Sequence, residues 1–331
     1  PLSDSFYLCN YLSDLCLLDR FGNLVVLCER QLVPGWEQLL WTGRQQGDNG
    51  FRLLDPIPVQ PRVVPPVIPQ QTNQGSGDAG DTSTATISVL NVYDSDFPLP
   101  EGVSIKWLRI VQPLAKSNSQ QDDPDPGFGD NATARMSLGL VPVESDGCVY
   151  CEAPVGKPLM FQLLDQDFRA VHGMRSATYV HPGEQLACVG CHERPGAPAT
   201  GYRQPLALQR RASLLEPDVG GVEPINFFRT VQPVFQRSCV PCHTERQQGP
   251  QNMSYALLQP YVWYYFGGGT EDVLRPENGG TRTMPGKFGA LACRMGAALM
   301  DEHHRDKIPA EDLRRVLLWL DNNSPLFAAY H

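Results

Sequence analysis

Apolar and polar positions alternate along this chain in three different rhythms. Over residues 6–28 short apolar runs at 6–9, 15–18 and 24–28 are separated by turn residues, and 19–23 (Asp-Arg-Phe-Gly-Asn) has hairpin-loop composition. Three strands of that length cannot enclose a core, so the segment 1–55 is expected to join a larger β-structure. Prolines at 56, 58, 61, 65, 66 and 69 predict a stiff extended connector, and the Gln, Gly, Ser, Asp and Thr of 70–84 a flexible one. A second β-rich region follows, with strand patterns at 86–93, 104–111, 138–143, 148–152, 159–164 and 168–180. An acidic Pro/Gly-rich insertion at 117–131 interrupts it.

After a polar stretch (193–222) the period changes to that of helices. Phe227, Val231, Val234 and Phe235 share one face of a predicted helix over 226–237. Leu291, Met295 and Leu299 do so over 288–300. The last predicted helix, 309–322, has Pro309 at its first position, Glu311 and Asp312 in its first turn, and an apolar stripe of Leu313, Val316, Leu317 and Leu320. The pattern predicts a multidomain α+β protein: a β-rich, sandwich-like domain over 85–215 and an α-helical domain over 216–331.

The cysteines add chemistry to this outline. Cys188-Val-Gly-Cys191-His192 and Cys239-Val-Pro-Cys242-His243 both carry the c-type haem attachment pattern, in which two thiols bond the haem vinyl groups and the adjacent imidazole binds iron. A redox dithiol would need a strand–helix setting in a parallel sheet, and a zinc knuckle does not require a His directly after the second Cys. Two covalent haems c are therefore expected, in a periplasmic or extracellular location. Cys9, Cys16, Cys28, Cys148, Cys151 and Cys293 remain; in an oxidising compartment some are expected to form disulfides, with the pairing open. Cys148 and Cys151 have the attachment spacing without a following His. Disulfide bonding, zinc and a third haem are the alternatives there, in that order, because strand positions three apart face opposite ways.

Candidate iron ligands follow from position. His303 lies just past the helix 288–300, where it can reach the second haem's open face; His304 is its immediate rival, and Met295 and Met300 are the sulfur alternatives. His172 and His181 precede the first motif, and the seven residues from His181 to Cys188 span up to roughly 23 Å. An excess of 36 acidic over 27 basic residues gives a net charge of −9, which argues against nucleic acid or an anionic membrane surface as partner. No run of about 18 apolar residues exists to span a bilayer. The chain starts at Pro1 without a leader pattern and reads as a processed protein or a fragment.

Several strings carry a resemblance to a known family. GLVPVESDGCVYCEAP, MRSATYVHPGEQLACVGCHE, MPGKFGALACRMGAALMDEHH and RRVLLWLDNNSPLFAAY are similar to the middle and C-terminal parts of hydrazine synthase alpha subunits. DLCLLDRFGNLVVL and LLDPIPVQPRVVPPVIP resemble the end of that family's β-propeller and its exit linker. The resemblance implies a propeller upstream or in a neighbouring chain, a β-rich haem domain, a cytochrome c domain with two histidines on its iron (His243 and His303), and assembly with other redox subunits. It also exposes a departure. The hydrazine-forming enzyme holds its middle-domain iron with a Tyr four residues after the motif's His, and gives that His to zinc. Here the position is Gly196 and the next Tyr is Tyr202, which leaves His192 as the iron ligand. Electron transfer through two haems is the leading expectation. A haem enzyme acting on a small nitrogen or oxygen species at an open first haem is the second, and a structural role for the haems the third.

Overall fold

The computed structural model describes residues 2–12, 14–29, 56–59, 61, 64, 66, 84–116, 126–128, 133–191, 204–246, 253–263 and 284–329. The chain forms two compact units, 1–69 and 70–331. His192, Gly196, Tyr202, most of the Pro-rich connector and most of the acidic insertion lie outside the described residues.

The first unit is an antiparallel meander of β1 (Phe6–Tyr11), β2 (Asp14–Asp19) and β3 (Leu24–Cys28) in the order β1-β2-β3. Leu12 adopts positive φ in the tight β1–β2 turn, while Asp19 caps the next turn by accepting from the Phe21 and Asn23 amides. Every residue of β3 is exposed, and Tyr11, Phe21, Val25 and Leu27 are each more than half exposed. Cys9 and Cys16 stand directly opposite one another. Arg20 N–H donates to the Ser5 carbonyl, so by strict alternation Cys9–Cys16 is also a hydrogen-bonded pair. Side chains at such pairs sit at the wide end of the about 4.5–5.5 Å cross-strand Cβ range, beyond the about 3.8 Å of a disulfide. None of the ten cysteines is in a disulfide, contrary to the sequence expectation.

The second unit has three layers. A three-stranded sheet, β10-β4-β7, comprises β4 (Thr84–Val89), β7 (Val149–Pro154) and β10 (Gln185–Cys188), with β10 running parallel to β4 at the edge. A four-stranded antiparallel sheet, β6-β5-β8-β9, is built from β5 (Trp107–Pro113), β6 (Arg135–Pro142), β8 (Met160–Leu164) and β9 (Ala170–Gly173). Between them lies a core that includes Ile87, Val149 and Cys151 from the first sheet and Leu108, Ile110, Val141 and Leu163 from the second. The opposite face of the four-stranded sheet presents Leu140, Leu164 and Ala170 to a second core shared with the helices. Period-two patterning with both faces buried explains why β8 reads as a continuous apolar run broken only by Gln162.

The helical layer opens with a continuous run. A π-helical turn Phe227–Val231, α1 (Gln232–Val234), a second π-turn Phe235–Cys239 and α2 (Val240–Arg246) follow without a break. Each π-turn directly precedes a segment containing a proline, Pro233 or Pro241. Proline has no N–H and clashes with the carbonyl four residues back, which widens the turn. Then come α3 (Tyr255–Leu258), α4 (Gly289–Ala292), α5 (Arg294–Met300), α6 (Glu302–Arg305) and α7 (Ala310–Asp321). The predicted helix 288–300 is thus two helices. Cys293 leaves helical geometry at φ −107°, ψ 157°, and its sulfur caps α5 by accepting from the Gly296 amide at 3.2 Å. Trp319 of α7 is fully buried against Phe227, Phe235 and Tyr255. Among the described residues, no helix is long and apolar enough to cross a membrane.

Candidate functional site

Two loci gather the residues singled out by sequence. At the second motif, the helical run packs Phe227, Val231, Val234 and Phe235 into the core, which fixes where Cys239, Cys242 and His243 emerge. Cys239 is partly buried, and burial pushes its thiol up to about 11; Cys242 is exposed. Facing them is α6, whose cap Asp301 accepts from the His303 amide at 2.8 Å. The His243 and His304 ring centres are 6.4 Å apart, with planes 27° from parallel. Two imidazoles on opposite sides of one first-row metal ion, at about 2.0–2.1 Å each, have ring centres about 6 Å apart. His304 is partly buried and its Nδ1 is a buried atom without a hydrogen-bond partner. Burial, then the neighbouring His303 and His243, hold its imidazole below the usual His range, a shift toward the neutral form, which is the one that binds metals.

His303 is placed differently. It is exposed, with Lys307 Nζ 3.3 and 3.4 Å from its ring nitrogens, and its ring meets that of His304 edge-on. Sequence ranked His303 first; the imidazole opposite His243 is His304. Residues n and n+1 on a helix point about 100° apart, so a one-position choice decides which ring enters the site. Met295 is buried in the helical core.

At the first motif, Cys188 ends the edge strand β10 beside Val89, and Cys191 lies in the turn that follows; both are half-buried against the inter-sheet core. The Cys191 amide donates to the Asp94 carbonyl at 2.9 Å. A Cβ on Gly190 would collide with that same carbonyl, so the turn fits only because position 190 is glycine. His172 sits on β9, 3% exposed, its ring edge-on to Phe97 at 6.4 Å. His181 lies in the turn before β10, half-buried, ring edge-on to exposed Tyr179, with its amide bound to Glu184.

Cys148 and Cys151 go to different places. Cys151 is part of the inter-sheet core, while Cys148 lies under the turn Leu206–Gln209 and accepts from the Ala207 amide at 3.0 Å. Burial pushes the two thiols up to about 11 and about 12, so neither is poised as a thiolate. Among the described residues no group of three or more His, Cys, Asp or Glu side chains could hold a metal ion, and the zinc alternative has no ligand set there.

Sequence reading missed a buried polar cluster between the four-stranded sheet and the helices. Arg109 on β5 reaches Asp218 at 2.7 Å, Gln162 on β8 at 3.1 Å and Asp321 at 3.6 Å. Asp321 accepts from the backbone amides of Ala170 on β9 and Ala290 on α4. The one available signal was a charged residue at an inward position of an otherwise apolar strand.

Residues 103–193, which hold β5 to β10 and the first attachment motif, match the hydrazine synthase alpha subunit middle domain. The chain resembles the hydrazine synthase alpha subunit. A solved hydrazine synthase from Kuenenia stuttgartiensis has a similar fold, with a TM-score of 0.52 and 16% identity over 74% of this chain and 43% of that one. At that identity the likeness is one of fold, and this chain spans less than half of the hydrazine synthase chain's length. No curated protein matches the chain.

Proposed function

We propose that the chain is a two-haem c-type electron-transfer module of a larger exported redox assembly. The observation that carries this reading is the facing pair His243 and His304 beside Cys239 and Cys242. A covalently held haem there supplies one-electron chemistry. Cys239 and Cys242 would hold it covalently, and His243 and His304 would be its iron ligands. With both histidines on the iron, a small molecule would have no place to bind, and the group would serve to pass an electron. Cys188, Cys191 and His192 would hold the first haem in the same manner. Attachment of haem to thiols takes place outside the cytosol, so the module belongs in the periplasm or an extracellular compartment. Exposed β1 and β3 support a partner β-structure, such as a propeller, and redox proteins or subunits are the expected electron partners.

The match of 103–193 to a hydrazine synthase domain favours a second reading, in which the first haem is an open catalytic site for a small nitrogen or oxygen species. Gly196 in place of the family's Tyr weighs against hydrazine formation. Visible spectra of the reduced protein with and without carbon monoxide separate the readings. Two haems unaffected by carbon monoxide are expected for electron transfer; carbon monoxide binding by one haem would establish an open site.

A further inference from the structure

The first site contains a residue whose role neither the attachment motif nor the match explains. β9 is irregular: Leu163 of β8 pairs with His172, but the next residue, Leu164, pairs with Ala170, so Val171 is an extra residue on β9. Such a bulge shifts every later side chain to the other face. Ala170 accordingly lies in the core facing the helices, whereas His172 takes the face of its partner Leu163, toward the inter-sheet core. Cys188 and Cys191 pack against that same core, as do Met174 and Leu291. The segment containing Asp94 and Phe97 bridges the two: the Asp94 carbonyl holds the Cys191 amide, and the Phe97 ring lies against the His172 ring.

We infer that His172 is the second protein ligand of the first haem's iron. This rests on the two-haem reading above. An imidazole 3% exposed, turned by a bulge toward the core against which the two attachment cysteines pack, is placed to serve as an iron ligand. Bulges re-aim side chains at functional sites, and without this one His172 would face the helices. His181, the other upstream histidine, is half-buried, and its ring lies against Tyr179, which is 57% exposed. Met174 shares the cluster and is the competing sulfur ligand. With His172 as an iron ligand beside the motif's own histidine, the first site would be closed to substrate, which adds to the electron-transfer reading.

The test uses the full chain with its haems attached. Intact mass comes first: a wild-type protein without haem on the peptide containing Cys188 and Cys191 would defeat the two-haem reading itself. With that haem present, His172→Ala is expected to turn one haem high-spin and able to bind carbon monoxide while both remain covalently attached. His172→Met is expected to restore a low-spin haem with a raised reduction potential, because Met/His ligation raises it relative to two imidazoles. A structural role for His172 would not produce that potential shift. His181→Ala and Met174→Leu are expected to leave the spectrum unchanged. If either of these produces the high-spin haem, or if His172→Ala folds, retains two haems and leaves both low-spin, the inference is wrong.

Discussion

Arg109 on β5 and Asp321 at the end of α7 meet at 3.6 Å with side chains 1% and 0% exposed. Asp321 also binds the backbones of β9 and α4, so one carboxylate joins the sheet to two helices. Asp218 completes the cluster, held by Arg109 and by Arg314 at 3.2 Å. Removing the cation leaves buried Asp321 without its Arg109 partner and Asp218 with Arg314 alone. Arg109→Met is expected to lower stability by about 3–5 kcal/mol, read as a lower denaturant midpoint at unchanged slope.

The same cluster gives a pH signature. Burial raises the Asp321 carboxyl from 3.8 to about 6 despite Arg109. An acid with a raised folded-state pKa binds protons better when folded, so its contribution is greatest below the unfolded value and fades as pH rises through the folded one. Asp218, although burial opposes it, is brought below 3.8 by Arg109 and contributes in the opposite sense, losing stability as pH falls. Asp321→Asn removes the Asp321 contribution and keeps the Asp218 carboxyl. The stability gap between wild type and Asp321→Asn should therefore be wider at about pH 5 than at about pH 7.5; a narrower gap at the lower pH would show a carboxylate that stays ionised.

Replacing His304 with Ala is expected to convert the second haem to high spin with both attachments intact. His303→Ala should leave the spectrum nearly unchanged, since its ring lies outside the facing pair. The reverse outcome would return the ligand to His303.

Haem count checks the covalent assignment. Intact mass should exceed the polypeptide by two haems, and Cys148→Ser with Cys151→Ser should keep both, because those thiols lie in the inter-sheet core and under the 206–209 turn. A third haem lost with that pair would contradict the assignment.

Gly190→Ala should damage only the first site. Its added methyl meets the Asp94 carbonyl, a backbone atom that cannot swing aside. Reduced occupancy of the first haem with the second unchanged is the expected result in a peptide-resolved mass measurement.

The first unit should depend on neighbours. A chain beginning at Ala85 is expected to be more soluble than residues 1–331, since it lacks exposed β3 and the unpaired edges of β1 and β3. Equal solubility, with residues 6–28 as protease-resistant as the rest, would mean that the meander is stable alone.

What the sequence determined by itself was local. The attachment strings are contiguous, so the residues expected to hold both haems could be named without a fold. Strands β1 to β8 and α7 were visible because period-two and period-3.6 burial leave their mark over a few adjacent positions. The predicted strand 168–180 was too long: β9 holds only Ala170–Gly173, and β10, unanticipated, pairs in parallel with β4 across the domain. The break at Cys293 escaped notice because a cysteine caps α5 through its sulfur, where Ser, Thr, Asn or Asp is the usual signal. Tertiary structure alone decided the rest. Whether His303 or His304 meets His243 depends on where α6 begins, and the face taken by His172 depends on one inserted residue in β9. Arg109, Asp218 and Asp321 meet across more than two hundred residues of chain. Pairing at that range is set by packing between layers, and no local period encodes it.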